Sequence, residues 1–208
     1  MKQFILIVAF SLSSLYAQTS VTLQRTASYQ NGIFSILNSN PEPASWKNGI
    51  GFAAQIDIPI SKSLFLSPLI EFDHYQFERY IYDEVVWIFE HRPLSGRGED
   101  SRIYRFGLEA KLVSSAHPLV TPYVVSGITY VNEHLGDFYL TYSDVYASVA
   151  PKFKVQNISK SYWAHSLGVG VKSILFENFG FDFAARYYAN YSDRFHISLG
   201  LGLIYQFD

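Results

Sequence analysis

Residues 195–207 have the sequence FHISLGLGLIYQF, and this stretch decides the fold. Every odd position from Phe195 to Phe207 carries a large apolar side chain, whereas the even positions are small or polar except for Ile204. A two-residue period is that of a β-strand whose two faces meet different environments. The stretch therefore predicts a strand with one apolar face and one polar face that is rich in Gly.

The same alternation recurs along the chain and predicts about eight strands. Each segment is close to the 9–11 residues that a tilted membrane-spanning strand needs. Residues 120–132 are apolar on both faces, so we assign neither face there. The segments with clear alternation are 49–58, 64–76, 103–112, 162–174, 179–191 and 195–207, and the weaker ones are 21–30 and 120–132.

The connections between these segments alternate in length. Short turns fall at 59–63, 114–119 and 176–178, and long segments fall at 31–48, 80–101 and 133–161. Only the connection around 192–194 is short where the alternation requires a long one. Short turns at one end and long loops at the other are typical of outer-membrane barrels. We therefore predict an all-β, eight-stranded, antiparallel, up-and-down transmembrane β-barrel.

Alternation alone does not say whether the apolar face points outward to lipid or inward to a soluble core, as it does in lipocalin-like barrels. The polar face favours lipid outside, because it carries Gly and Ser at positions such as Gly168, Gly200 and Ser198, which suit a narrow interior. Aromatic residues near strand ends predict the girdles of a membrane barrel. These residues are Tyr104, Tyr162, Trp163, Phe179, Tyr205 and Phe207.

Charged residues on the polar face are mixed in sign and nearly cancel. Buried charges are tolerated when they are paired, and an eight-stranded barrel is just wide enough for side chains to fill it. We therefore predict a salt-bridged interior that closes the barrel to bulk ion flow. The acids are Asp57, Glu71, Asp73, Glu109 and Asp182, and the bases are Arg105, Lys111, Lys172 and Arg186.

Composition excludes several other classes of protein. The chain has 208 residues, of which 49% are hydrophobic and 16% charged, so a disordered chain is excluded. No apolar run reaches the ~18 residues of a transmembrane helix. With 16 basic and 18 acidic residues, the chain has no positive excess for nucleic acid. The absence of Cys excludes disulfides, thiolate zinc sites and cysteine nucleophiles.

The N-terminus has the pattern of a secretory signal peptide. Lys2 precedes the apolar run 4–10, and residues 11–17 are small and mildly polar. We expect cleavage after Ala17, which leaves residues 18–208 as the barrel domain and directs it to the cell envelope.

These features together resemble the outer-membrane β-barrel domain family of Gram-negative bacteria, which is porin-like and OmpA/OmpX-like. The resemblance lies in the signal peptide, the strand opening at Pro122-Tyr123, the alternation of turns and loops, and the final residues 200–207. It implies an outer-membrane location, contact with outer-membrane lipid, and recognition of a C-terminal aromatic signal, here Tyr205 and Phe207, by the barrel-assembly machinery. The sequence departs from the usual aromatic ending, since Asp208 follows Phe207.

Candidate chemistry is sparse, and we assign no catalytic, cofactor or metal site. His196 and Ser198 share a strand face, and outer-membrane lipid A deacylases use a His-x-Ser pair, but here both residues fall on the inward face. No convincing metal spacing exists among His74, Glu78, Glu90 and His91. The pairs Gly168/Gly170 and Gly200/Gly202 lie within strands and suit packing rather than phosphate binding.

The long loops leave function open. Aromatic residues in 133–161 favour strands that extend above the membrane, with a binding surface as the alternative, and residues 85–89 of the 80–101 loop raise the same choice. We expect a non-enzymatic outer-membrane barrel with a structural or loop-mediated binding role, for a ligand that the sequence does not identify. The alternatives are a small porin or transport component, a lipid A-modifying hydrolase, and a soluble periplasmic ligand-binding barrel.

Overall fold

The strand segments that alternate in the sequence form a closed barrel. The structure is a computed structural model, and it describes residues 19–31, 49–76, 94–114, 120–142, 153–155, 158–176, 178–190 and 195–207. The predicted signal peptide, residues 1–17, lies outside the described residues. No described helix is long and apolar enough to cross a membrane.

Eight antiparallel strands make the barrel wall, and each pairs with the strands that precede and follow it around the wall. The last strand pairs with the first, so every backbone ladder has a partner and the barrel has no open edge. The predicted eight-stranded, antiparallel, up-and-down barrel is confirmed. The barrel strands are β1 (Ser20–Asn31), β2 (Gly49–Pro59), β3 (Leu64–Tyr75), β5 (Ser101–Val113), β6 (Thr121–Leu135), β9 (Ile158–Phe176), β10 (Phe179–Ala189) and β11 (Phe195–Gln206).

The two-residue sequence period sets which side chains point in and out. Along β2, buried and exposed residues alternate without a break. Leu201 on β11 is 62% exposed and Phe181 on β10 is 49% exposed, whereas Arg186 and Glu109 are 2% and 0% exposed. The apolar face is therefore the outer wall, and the polar face lines the interior of the barrel.

Strand β6 resolves the segment whose faces the sequence left unassigned. Its odd residues point inward, among them Tyr123, Val125 and Val131, and the strand continues to Leu135. The predicted loop at 133–161 is therefore too long at both ends, because Glu133 is an interior strand residue with no exposed surface and β9 already begins at Ile158. Two apolar faces conceal the alternation of β6 up to residue 131.

The long loops form a second sheet beside the loop end of the barrel. It consists of β4 (Leu94–Gly98), β7 (Phe138–Tyr142) and β8 (Phe153–Val155), in the order β4-β7-β8. Strands β7 and β8 continue the β6–β9 hairpin, which agrees with the expected extension, and β4 joins from the neighbouring long loop. The contribution of β4 was not predicted.

Apolar side chains occupy the loop end of the interior. Tyr75, Ile103, Val131, Leu135 and Tyr188 form the larger part of one buried cluster. The interior is therefore not polar throughout, because these apolar side chains share the loop end of the interior with Glu133, which lies opposite Ile103 in the β5–β6 ladder.

Candidate functional site

The candidate site is the polar interior of the barrel. Inward positions come from all eight strands, because each strand contributes every second residue to the interior. Eight of the nine predicted interior charges are at most 2% exposed, and Lys172 is half-buried. The fully buried ones are Asp57, Glu71, Asp73, Arg105, Glu109, Lys111, Asp182 and Arg186.

Near the short-turn end, Asp57 receives hydrogen bonds from four strands, one of them from the Ser20 hydroxyl of β1 to Oδ2 at 3.4 Å. Lys111 Nζ lies 2.7 Å from Asp57 Oδ2, and the Ser67 hydroxyl and the Gln55 amide donate to Oδ1 at 2.7 and 2.8 Å. The Lys111 ammonium also lies 4.3 Å from the centroid of the Tyr123 ring. Asp57 and Lys111 belong to β2 and β5, which are separated by β3, so this ion pair joins strands that are not neighbours.

At mid-height, Arg186 joins the far sides of the barrel. Its Nε donates to Glu109 Oε2 at 3.2 Å, its Nη1 donates to Gln24 Oε1 at 3.3 Å, and its Nη2 donates to the Gln55 side chain. Gln55 also donates to Asp57, and thus links this layer to the one beneath it. The sequence analysis missed Gln24 and Gln55, although both lie on inward positions of alternating strands.

Asp182 is held differently from the other interior acids. Its Oδ2 accepts hydrogen bonds from the Gln24 amide and from the Tyr123 hydroxyl, the latter at 3.0 Å. Lys172 lies opposite Asp182 in the β9–β10 ladder, and its ammonium is 5.0 Å from the centroid of the Phe65 ring. Neutral donors therefore contact Asp182 directly.

Closer to the loop end, Arg105 lies between two carboxylates. Its Nη1 donates to Glu71 Oε1 at 2.9 Å and also to Asp73 Oδ2. The Tyr188 hydroxyl donates to Glu71 Oε2 at 2.8 Å, and the Thr26 hydroxyl donates to Asp73 Oδ1 at 2.9 Å. The Arg105 guanidinium also lies 4.9 Å from the centroid of the Tyr188 ring.

His196 lies near the loop end of the interior, between a cation and an acid. Arg105 Nη2 is 3.2 Å from His196 Nδ1, and His196 Nε2 is 3.1 Å from Glu133 Oε1. Because guanidinium only donates, Nδ1 must accept, and the proton belongs on Nε2, facing Glu133. The Tyr162 hydroxyl donates to Glu133 at 2.5 Å. Assigning Tyr162 to an outer girdle was therefore wrong, because Trp163 faces outward and its neighbour must face inward.

The interior contains more acid than the sequence analysis counted. Adding Glu133 gives six acids against four bases, so the formal interior charge is 4 − 6 = −2 with His196 neutral. Neutral hydrogen-bond donors also stabilise these acids, such as the Gln24 amide at Asp182 and the Tyr162 hydroxyl at Glu133. We use the name polar network for the six acids, the four bases Arg105, Lys111, Lys172 and Arg186, and His196, together with the neutral groups that hydrogen-bond to them. The acids are Asp57, Glu71, Asp73, Glu109, Glu133 and Asp182.

Interior glycines make room for the long side chains of the polar network. A Cβ at Gly170 would fall on the Tyr123 ring, and a Cβ at Gly200 would lie 2.6 Å from Gln24 Oε1. These glycines therefore have packing roles within strands, which is the role that the sequence indicates for them.

The two sets of residues considered for chemistry lie in different places. His196 and Ser198 are 1% and 2% exposed inside the barrel, with the Ser198 hydroxyl bonded to Glu71. His74 pairs instead with Asp100 at 3.1 Å near the loop end. Glu78, Glu90 and His91 lie outside the described residues, and no group of three or more potential metal ligands occurs in the described part of the chain.

The C-terminal aromatic residues pack together at the turn end. The Tyr205 and Phe207 rings meet edge to face with centroids 5.1 Å apart, and Phe179 lies 4.9 Å from Tyr205. The Phe207 amide donates to the Thr19 carbonyl at 2.9 Å, so the chain end is tied to the start of the barrel.

Comparison with known proteins establishes the fold. No family model and no curated protein matches the chain. Ail, the attachment invasion locus protein of Yersinia pestis, matches with a TM-score of 0.54 at 15% identity, covering 91% of this chain and 97% of Ail. Neisserial surface protein A matches with a TM-score of 0.55 at 13% identity, covering 91% and 97%. The outer membrane protein OprG from Pseudomonas aeruginosa matches at 0.53 and 10% identity, covering 91% and 96%. The chain therefore has the barrel fold of these proteins.

Proposed function

We propose that this protein is an integral outer-membrane β-barrel whose interior is closed by the polar network, and whose role is structural or is performed by its loops. The resemblance to solved outer-membrane barrels supports this location. The proposal includes contact between the outer wall of the barrel and outer-membrane lipid. It also includes a secretory signal peptide in residues 1–17.

The observation that carries the proposal is the outer wall. Large apolar side chains on all eight barrel strands are exposed, including Leu23, Phe52, Ile70, Leu167 and Leu201, each at 57% or more. A soluble protein rarely exposes a contiguous apolar patch of more than a few hundred Å². The alternative of a soluble periplasmic barrel is therefore disfavoured, because its charges would be inside and its apolar surface in water.

Folding into lipid tests this proposal directly. The chain from residue 18 onward, refolded from denaturant into phosphatidylcholine vesicles, should migrate differently on a gel before and after heating and should resist protease within the wall. Cysteines introduced into the long connections that join β3 to β5 and β6 to β9 should be labelled on intact cells. A monomer that stays folded and soluble without detergent would contradict the lipid-facing wall.

A small pore is a second candidate, because some buried polar atoms in the described interior have no hydrogen-bond partner. Six buried polar atoms among the described residues lack a hydrogen-bond partner: Thr22 Oγ1, Arg105 Nε, Glu109 Oε1, Thr129 Oγ1, Ser166 Oγ and Asp182 Oδ1. They occur at several heights, and polar sites of this kind suit water. Planar-bilayer conductance distinguishes the candidates. We expect no steady channel from the wild type, and a channel in the wild type would favour the pore.

A lipid A-modifying activity is disfavoured by the burial of its required groups. A hydrolase acting on lipid must present its nucleophile to the bilayer, whereas Ser198 faces the interior. Replacing Ser198 with Ala should leave lipid A acylation in cells unchanged. A change in acylation that follows this substitution would support the enzyme.

The aromatic chain end is the proposed signal for the barrel-assembly machinery. Tyr205 and Phe207 form an aromatic surface at the turn end, where a C-terminal signal is accessible. Phe207→Ala should lower the amount of assembled barrel in cells while leaving refolding into vesicles nearly unchanged, because only the cellular route needs the machinery. Equal loss in both assays would assign Phe207 a folding role instead.

A further inference from the structure

One cation lies on the outer wall of the barrel, away from the strand ends. Arg25 is the sixth of the twelve residues in β1 and is exposed, and it pairs with Phe52 on one side and Leu201 on the other. The other outward Lys and Arg residues of the described barrel strands, Arg102 and Lys160, lie at the loop-side ends. No described residue makes a hydrogen bond or ion pair with the Arg25 guanidinium.

A charge in this position is costly in a membrane. An outward Arg at mid-depth of a barrel wall is among the most destabilising of lipid-facing residues, and the cost falls toward the interfaces. An ionisable residue in the hydrocarbon region is therefore usually functional and has a partner. Arg25 needs a partner that brings negative charge to the outer wall.

The wall beside Arg25 contains a groove that fits an acyl chain. The groove has a volume of about 430 Å³ and crosses β1, β2 and β3. The small side chain of Ala54 forms the floor of the groove. Ala54 pairs with Leu23 on β1 and with Ile70 on β3, which form its two sides. Phe52, with Phe72 beyond it, forms the rim on the loop side. Arg25 thus stands at one end of an apolar groove.

The negative group that pairs with Arg25 does not come from the wall of a second copy of this chain. Every Asp and Glu of the described barrel strands faces the interior, so the outer wall of another copy has no carboxylate for Arg25 at this depth. A phospholipid brings an acyl chain and an anionic phosphate together. Guanidinium binds phosphate through two parallel hydrogen bonds.

We propose that Arg25 and the adjoining groove form a binding site for an anionic phospholipid, with the acyl chain against Ala54 and the phosphate held by the Arg25 guanidinium. The long Arg side chain and local thinning of the bilayer bring the phosphate within reach. This inference rests on the proposed membrane location. It adds a specific lipid site to a wall that would otherwise meet lipid without preference.

The experiment measures folding of two variants at residue 25 in two lipid compositions. Wild type and Arg25→Leu are folded into vesicles of pure phosphatidylcholine and into vesicles with one fifth phosphatidylglycerol, and the folding equilibrium constant is measured by denaturant titration. Phosphatidylglycerol should raise the folding equilibrium constant of the wild type by a factor about ten times larger than for Arg25→Leu. This factor corresponds to a difference of about 1.4 kcal/mol in the free energy of folding. A charge-assisted hydrogen bond has a strength of this order.

Arg102→Leu is the matched control, because it removes the same charge at the loop-side end of β5. It should keep the wild-type response to phosphatidylglycerol, and native mass spectrometry should detect retained phosphatidylglycerol on wild type and Arg102→Leu but not on Arg25→Leu. An equal lipid response of wild type and Arg25→Leu would overturn the site. A loss in Arg25→Leu that is equal in both lipids and depends on protein concentration would assign Arg25 to a protein contact instead. Failure of the wild type to fold into either vesicle would refute the proposed function itself.

Discussion

Removing Arg105 is the sharpest test of the polar network. Arg105 is fully buried, and it is the cation in direct contact with both Glu71 and Asp73. Arg105→Met keeps a long side chain but leaves two adjacent buried carboxylates without a contacting cation. Removing one partner of a buried ion pair typically costs 3–5 kcal/mol. Glu71 and Asp73 keep neutral donors in Tyr188 and Thr26, so we expect a loss of about 3–4 kcal/mol in the free energy of unfolding.

The assay is denaturant unfolding in phosphatidylcholine vesicles, monitored by the heat-dependent gel shift. Arg105→Met/Glu71→Gln should recover about half of the loss, because one uncompensated charge is removed with little change of shape. Arg102→Met, an exposed position near the same end of β5, should change the free energy by less than about 0.5 kcal/mol. If Arg105→Met stays within about 0.5 kcal/mol of the wild type, the ion pairs do not hold the interior together.

Three further predictions concern other parts of the barrel and use the same unfolding assay. Asp57→Asn should cost at least 2 kcal/mol more than Asp182→Asn, by order of magnitude, because only Asp57 contacts a cation, and equal costs would contradict the assigned pairing. Leu201→Arg should cost about 2–4 kcal/mol in vesicles, and a smaller cost than that of Leu201→Ala would place this residue away from lipid. Gly170→Ala should cost about 1–3 kcal/mol, since the new Cβ would meet the Tyr123 ring, and Tyr123→Leu should relieve part of it. No relief would point to a backbone cause.

The barrel itself was predictable from sequence because each wall strand separates two solvents. In β10 and β11 most outer residues are large and apolar and most inner ones are small, polar or charged, so the side-chain period identifies the strand. Strand β6 shows the limit of this signal. Apolar residues such as Val125 and Val131 point into the interior, and the alternation disappears where both environments are apolar.

The interior ion pairs were harder to predict than the interior residues. The two-residue period of the side chains places Arg186 and Glu109 inside the barrel. It does not predict their salt bridge, because two other strands separate β10 from β5 around the wall. The Glu133–His196 contact was missed because Glu133 follows the end of the recognisable pattern. The β4–β7 pairing was also missed, although it continues the β5–β6 ladder in the same register, because the sequence analysis assigned residues 94–98 and 138–142 to long loops.

Contacts between non-neighbouring strands give the buried charges a role beyond local stability. Arg105 on β5 reaches His196 on β11 from the opposite side of the barrel, so this contact does not exist in an open sheet, and Lys111 reaches Asp57 over the intervening strand β3. Well-packed apolar residues are often as stable as buried ion pairs, but an apolar interior would remove the difference between the two faces. A shift of register by one residue turns a strand over and would expose its charges to lipid. The polar network therefore penalises every misaligned or incompletely closed barrel, and this explains why a narrow interior retains six acids and four bases.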